Sequence, residues 1–200
     1  MKLLWSSRSP FARKVMIAAH ELGIADDIEL ERVVVDPAVP NARVMQVNPL
    51  GRIPTLILED GRVMHDSAVI IEYLDDRFSG SLMPKSGDAR WTALKLQALA
   101  DGLMEADLRL LEERKHLQNG HRDALAAGMR GKIVSVLGSL EAAPPAGITV
   151  GEVALGSALA HLDFRFPDEP WRPGHPRLAA WFATFAARPS MRATSFVDQY

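Results

Sequence analysis

The first third of the chain carries short apolar runs separated by turn-forming residues. Apolar and β-branched runs predict three strands, the second of them buried, and Asp60-Gly61 predicts a hairpin that returns as a fourth. Apolar residues at helical spacing predict a helix from Ser9-Pro10, a short one at residues 41–47, and another capped by Asp66 or Ser67. The predicted strands cover residues 2–5, 28–35, 55–58 and 62–65. The order β-α-β-α-β-β-α suits one small α/β domain.

The pattern changes after residue 78. Residues 79–87 are rich in glycine, serine and proline, which is typical of a linker. Beyond them the apolar positions recur at helical spacing. These helices are predicted at residues 88–115, at 121–142, from Thr149 onward and at 177–187, with a tail after Pro189. The sequence therefore predicts an α/β domain at residues 1–78, a linker at 79–87 and an all-α domain at 88–200.

Composition narrows the functional classes. The chain has 200 residues, 48% of them hydrophobic and 24% charged, with a net charge of −2, so no general attraction to nucleic acid or anionic membranes is expected. It has no cysteine, which excludes disulfides, thiolate metal sites and a cysteine nucleophile. Its six histidines are scattered, and we expect no metal site. No run is long enough for a signal peptide or a bilayer span, so the expected location is cytoplasmic.

Four short segments combine turn or capping chemistry with reactive side chains. Ser9-Pro10-Phe11 has a favoured N-cap followed by proline at the first helical position. In residues 48–56, Gly51 suits a turn and Pro54 opens a strand; on its residues alone, Pro54 is an ordinary strand-edge proline with a trans bond. Asp66-Ser67 is a capping pair, and Thr149 to Glu152 is a capping box.

In order and spacing, these four segments resemble the glutathione S-transferase family, most closely its small bacterial members with a Ser-Pro-Phe turn. The resemblance covers nearly the whole chain. It implies a thioredoxin-like α/β N-terminal domain followed by an all-α helical C-terminal domain, with a cis peptide bond before Pro54. It also implies glutathione as co-substrate, a small electrophile as second substrate and a homodimer.

The resemblance also assigns roles to individual residues. Ser9 is the catalytic residue implied, its hydroxyl and the helix terminus stabilising the glutathione thiolate, with Ser6 and Ser7 as weaker alternatives. The implied glutathione-binding residues are Ile53 through its backbone, Ser67 and Asp66 at the γ-glutamyl group, Arg52 near the other carboxylate, and Phe11. Serine instead of cysteine at position 9 disfavours thiol–disulfide exchange.

The implied reaction is attack of the thiolate on an electrophile. Two alternatives stay open from the sequence. The first is a glutathione-dependent isomerase or dehalogenase, which would use the same glutathione site. The second is a non-catalytic module that keeps the fold for interaction or regulation; it predicts loss of the γ-glutamyl contacts, whereas Asp66-Ser67 is present.

Overall fold

The computed structural model describes residues 1–115 and 120–198, which form two compact units. The first contains residues 1–90 together with the tail from Pro189, and the second contains residues 91–188. The sequence-based boundaries at residues 78 and 88 stay a prediction; by its contacts, the tail belongs with the first unit, although it follows the helical segment in sequence.

The first unit contains a four-stranded mixed sheet in the order β2-β1-β3-β4. Strand β2 runs parallel to β1, whereas β3 is antiparallel to both β1 and β4. Its elements are β1 (Lys2–Trp5), α1 (Pro10–Glu21), a 3₁₀ turn (Ala25–Asp27), β2 (Glu29–Arg32), α2 (Ala42–Met45), β3 (Thr55–Ile57), β4 (Val63–Met64) and α3 (Ser67–Arg77). The predicted β-α-β-α-β-β-α order is confirmed, including the N-caps at Ser9 and Asp66, and Asn41 is a further N-cap, at the start of α2.

Both faces of the sheet are covered. Leu3 and Leu4, which point to opposite faces of β1, are both completely buried. Helix α1 packs against α3, and both contribute fully buried aliphatic side chains such as Ile17 and Ile70. A second cluster contains Leu4, Val33 and Val44, and the side chain of Ile53 packs against it. The side chain of Ile53 is thereby fixed in the core while its backbone lies in the loop before β3.

The prediction that β2 is buried is wrong. This strand lies at the edge of the sheet, where Leu30 is 41% exposed, and it ends at Arg32 rather than at residue 35. The predicted strand was identified by its β-branched residues, but the alternation of Glu29 and Glu31 with Leu30 is the pattern of an edge strand that meets water.

The second unit is built from helices. The helices from residue 87 onward are α4 (Gly87–Arg114), α5 (Gly120–Ala142), α6 (Val150–Arg165), a 3₁₀ turn (Arg172–Gly174), α7 (Pro176–Ala186) and α8 (Pro189–Ala193). The predicted helices are confirmed to within one residue at their bounded ends, and the segment after Pro189, predicted as a tail, begins with the short α8. Within the described residues, no helix combines the length and apolar character needed to cross a membrane.

The start of α6 is held in two ways. The predicted capping box is confirmed: the backbone N–H of Thr149 donates to the Glu152 carboxylate at 2.8 Å, and the Thr149 hydroxyl accepts from the N–H of Gly151 at 3.1 Å. Helix α6 also lies so close to α4 that a Cβ on Gly151 would stand 2.8 Å from the carbonyl oxygen of Ala93. These residues therefore serve helix packing, as the sequence indicated.

Candidate functional site

The register of the sheet brings three loops to the same end of its strands. This end is called the shared sheet edge and is distinct from the lateral edge formed by β2. Strand β1 pairs antiparallel with β3 so that Leu4 faces Thr55, and β3 pairs with β4 so that Leu56 faces Met64. The end of β1, the start of β3 and the end of β4 therefore share an edge. Three segments leave this edge and carry Ser9, Ile53 and Ser67, respectively: the loop at residues 6–9, the segment at 53–54 and the start of α3.

Ser9 stands at the N-cap of α1, half-buried. Its hydroxyl oxygen accepts a hydrogen bond from the backbone N–H of Ala12 at 3.2 Å. Because the oxygen is the acceptor in that bond, the hydroxyl proton is left to be donated to a group beyond the helix end. The site therefore combines a directed O–H with the partial positive charge of a 12-residue helix.

The neighbouring serines are engaged differently. Ser7 donates its hydroxyl proton to the carbonyl of Val197 at 3.0 Å, whereas the Ser6 hydroxyl oxygen accepts from the N–H of Arg8 at 3.3 Å. The proton of Ser7 is thus committed within the chain. This favours Ser9 over Ser7 as a donor to a ligand.

The segment before β3 is organised by Asn48, which is 1% exposed. Its side-chain amide donates to the carbonyl of Arg52 and to the hydroxyl of Thr55, both at 3.0 Å, and its oxygen accepts from the N–H of Leu50 at 3.1 Å. The Ile53–Pro54 peptide bond is cis, as the resemblance implied. No hydrogen bond among residues 1–115 and 120–198 uses the backbone N–H or C=O of Ile53.

Asp66 and Ser67 occupy the start of α3. The Asp66 carboxylate is exposed and accepts from the N–H of Ala68 at 3.0 Å, which makes it the N-cap. Ser67 is the first helical residue and is 2% exposed. In the part of the chain that the structure describes, neither its hydroxyl nor its backbone N–H has a hydrogen-bond acceptor. A helix N-terminus with such donors favours a carboxylate ligand, and an exposed carboxylate beside it favours a cation.

The contacts of the two remaining predicted residues, Arg52 and Phe11, do not point to a particular ligand. The side chain of Arg52 is exposed and forms no ion pair with any described residue. Phe11 is half-buried on α1, with the ammonium of Lys14 5.7 Å from its ring centre. Neither observation assigns them a ligand.

Similarity to known proteins identifies the fold family. A sequence model of the glutathione S-transferase N-terminal domain matches residues 8–77, and one of the C-terminal domain matches residues 123–184. A crystal structure of a glutathione transferase family member from Pseudomonas fluorescens Pf-5, with bound glutathione, is 40% identical, covers 97% of this chain and 98% of its own, and superimposes with a TM-score of 0.92. The chain belongs to the glutathione S-transferase family.

Two further relatives extend the comparison. A family member from the same organism, with bound S-(propanoic acid)-glutathione, is 38% identical over 96% of this chain and 97% of its own, with a TM-score of 0.87. The GST-like protein YibF of Escherichia coli K12, described as uncharacterised, is 29% identical over 97% of this chain and 98% of its own. The match therefore extends through both domains of the glutathione S-transferase fold.

Two features of this family member were not foreseen from its sequence. Asn48 was part of a recognised segment but had no role assigned, because its three partners depend on the folded turn. Arg13 also had no role assigned, whereas it is 7% exposed and contacts the C-terminal tail. Apolar spacing cannot identify a buried arginine, since it marks where aliphatic side chains recur.

The prediction of no metal site concerns groups of histidine and acidic side chains. No group of three such residues among the described residues is arranged to hold a metal ion. His116, one of the six histidines in the sequence, lies outside the described residues.

Proposed function

We propose that this protein binds reduced glutathione at the shared sheet edge and transfers its thiolate to a small electrophile. The observation that carries the proposal is the pair of helix N-termini at that edge. One presents the proton of Ser9, and the other presents the hydroxyl and N–H of Ser67. These two donors suit two anionic groups of one extended ligand, the thiolate and the γ-glutamyl carboxylate of glutathione.

Hydrogen bonding and the helix dipole account for stabilisation of the thiolate. Lowering a thiol pKa by two units requires about 2.7 kcal/mol. A hydrogen bond to a charged group contributes about 1.5–3 kcal/mol, and a helix N-terminus about 0.3–1 kcal/mol. Ser9 and α1 together therefore suffice to hold a thiolate, and no general base is required.

The rest of the tripeptide fits the other residues at the edge. The γ-glutamyl carboxylate would accept from Ser67, and its ammonium would lie beside Asp66. The backbone groups of Ile53 would pair with the ligand backbone in the manner of an added strand. Arg52 would attract the glycine carboxylate, and Phe11 would lie beside the cysteinyl sulfur. Crystal structures of family members with bound glutathione and S-(propanoic acid)-glutathione support a ligand of this class.

Calorimetric titration with reduced glutathione tests the binding half of this proposal. Ser67→Ala should weaken binding about tenfold or more, because a hydrogen bond to a carboxylate is lost. Ser139→Ala is the matched control, since Ser139 is an exposed serine on α5. Saturable binding that weakens only in Ser67→Ala supports the site. Absence of binding at millimolar glutathione would contradict it and favour the non-catalytic module.

The chemical half is tested with a panel of electrophiles. Ser9→Ala should reduce the conjugation rate with little change in glutathione affinity, and Ser9→Thr should restore it because threonine keeps both the hydroxyl and the cap. Equal rates in the wild type and Ser9→Ala would remove Ser9 from the mechanism. Turnover of isomerisable or halogenated substrates, with no conjugate formed, would instead support the isomerase or dehalogenase alternative.

The remaining implied properties are proposals of the same kind. We expect a homodimer, as in other family members, and size-exclusion chromatography with light scattering would show whether the chain elutes as one. The cytoplasmic location is likewise expected and would be checked by fractionation.

A further inference from the structure

The C-terminal tail contacts the same loop that carries Ser9. Residues 189–198 belong to the first compact unit, where α8 packs against α1. The tail therefore closes onto the start of α1 from a distance of almost two hundred residues along the chain, and its contacts fall into three connected steps.

The first step is the contact of Arg13 with the tail. Its guanidinium donates to the carbonyl of Met191 at 3.0 Å and to the hydroxyl of Thr194 at 3.4 Å, and it lies 4.4 Å from the ring centre of Phe196. Burial lowers the pKa of Arg13 to about 10, so the group is still charged at neutral pH. No carboxylate among the described residues pairs with it. Burying such a charge is costly, and here its contacts are made to the tail.

The second step joins the tail to the loop at residues 6–9. The N–H of Val197 donates to the carbonyl of Ser7 at 3.2 Å, and the Ser7 hydroxyl donates back to the carbonyl of Val197 at 3.0 Å. Next to this pair, the guanidinium of Arg8 lies 2.8 Å from the carboxylate of Asp198. Two adjacent loop residues are thus held by two adjacent tail residues.

The third step leads from the loop back to Ser9. The N–H of Ser9 donates to the carbonyl of Ser6 at 3.1 Å, and the N–H of Arg13 donates to the carbonyl of Ser9 at 3.0 Å. The contacts therefore form a closed circuit from Arg13 to the tail, from the tail to Ser7 and Arg8, and from that loop through Ser9 to Arg13. Displacing the tail would release the loop on one side of Ser9.

We propose that Arg13 is a positioning residue for the reaction, which holds the tail against the loop and so fixes the direction of the Ser9 hydroxyl. This inference rests on the proposed function. Arg13 acts through the tail, and no contact of its own with glutathione is required. The glutathione site at Ser67 lies on another helix, so loss of Arg13 should affect the reactivity of the sulfur more than the affinity for glutathione.

The test is the pH profile of kcat/KM for conjugation, with glutathione affinity measured separately by calorimetry. Arg13→Met should displace the profile upward by about one pH unit and reduce kcat/KM about tenfold at neutral pH, with glutathione Kd changed less than about threefold. Arg192→Met is the matched control, because Arg192 is an exposed arginine on α8, the tail helix that Arg13 contacts. It should leave both measurements unchanged.

A truncation that ends at Ser195 tests the tail contacts separately from the charge of Arg13, because it removes the end of the tail and leaves Arg13 in place. It should displace the profile in the same way, and Arg13→Met added to it should cause no further change, since both variants break the same circuit. Additive effects would overturn the proposal, as would an unchanged profile in either variant. If Arg13→Met does not fold, the truncation alone decides. Wild-type protein that binds no glutathione would instead refute the proposed function.

Discussion

Replacement of Asn48 by alanine tests how the segment before β3 is held. The side chain is 1% exposed and makes three hydrogen bonds at 3.0–3.1 Å, to the carbonyl of Arg52, the hydroxyl of Thr55 and the N–H of Leu50. Alanine removes all three. It leaves Thr55, which is also buried, donating to the carbonyl of Arg52 at 2.9 Å, so two of the three vacated groups keep a partner and only the N–H of Leu50 loses one.

The expected cost follows from those bonds. Each intramolecular hydrogen bond contributes about 1 kcal/mol net, and a buried group left without a partner costs about 1–3 kcal/mol. Allowing for the Thr55 bond that persists, Asn48→Ala should lower the free energy of unfolding by about 3 kcal/mol, or the melting temperature by roughly 6–12 °C for a chain of this size. Glutathione affinity should fall as well, because Asn48 fixes the carbonyl that precedes Ile53.

Asn41 provides the matched control. It is also an asparagine bound to backbone groups, accepting from the N–H of Val44 at 3.1 Å and donating to the carbonyl of Val34 at 2.8 Å, but it is only half-buried and caps the four-residue α2. Asn41→Ala should cost about 1 kcal/mol. Denaturant unfolding of both variants would measure the difference. Equal losses, or an Asn48→Ala variant with wild-type stability and glutathione affinity, would refute the reasoning.

Three further predictions concern the second unit. The buried pair of Asp107 and His161, 2.9 Å apart, should be broken by Asp107→Ala at a cost of about 3 kcal/mol. Burial raises the pKa of Asp107, so its contribution to stability is present below the ordinary carboxyl pKa and is lost as the pH rises through the raised value. Asp107→Asn should flatten this decline in unfolding measurements. A decline as steep as that of the wild type would contradict the prediction. Glu152→Ala should cost about 1–2 kcal/mol in thermal unfolding and Glu152→Gln less, since glutamine also completes a capping box, so equal losses would contradict the box. Gly151→Ala should cost about 1–3 kcal/mol in the same measurement, because the new Cβ would press against the carbonyl of Ala93, and wild-type stability would show that α6 moves freely away from α4.

The sequence predicted those features that depend on neighbours in the chain. The N-cap at Ser9, the turn at Gly51 with its φ of 63°, and the capping box at Thr149 are all set by residues within a few positions of one another. The strand β2 lies within the predicted residues 28–35 but is shorter, and it was wrongly judged buried because β propensity gives no position in a sheet. Its place at the edge depends on which strands pair, and pairing is a property of the whole fold.

Capping and the proposed ligand chemistry involve the same residues in this protein. Ser9 is an N-cap whose oxygen is used by α1, and the same bond leaves its proton for a ligand. Ser67 begins α3 with donors that the described chain does not use. A structural interpretation of these residues and a functional one are therefore compatible. The local pattern alone could not choose between them, and their convergence at one sheet edge, set by the pairing of β1 with β3 and of β3 with β4, is what favours the functional interpretation.

Arg13 illustrates the opposite case. Its partners lie about 180 residues away in the chain, and the first of them is a backbone carbonyl, which any residue supplies. No spacing rule can signal such a contact. The contacts that join the loop at residues 6–9 to the tail are of the same kind, since Ser7 and Val197 are held together through backbone atoms. The contacts of Arg13 and the tail are thus the hardest part of the site to predict from the sequence. They are also the part that we expect to control the orientation of the Ser9 hydroxyl.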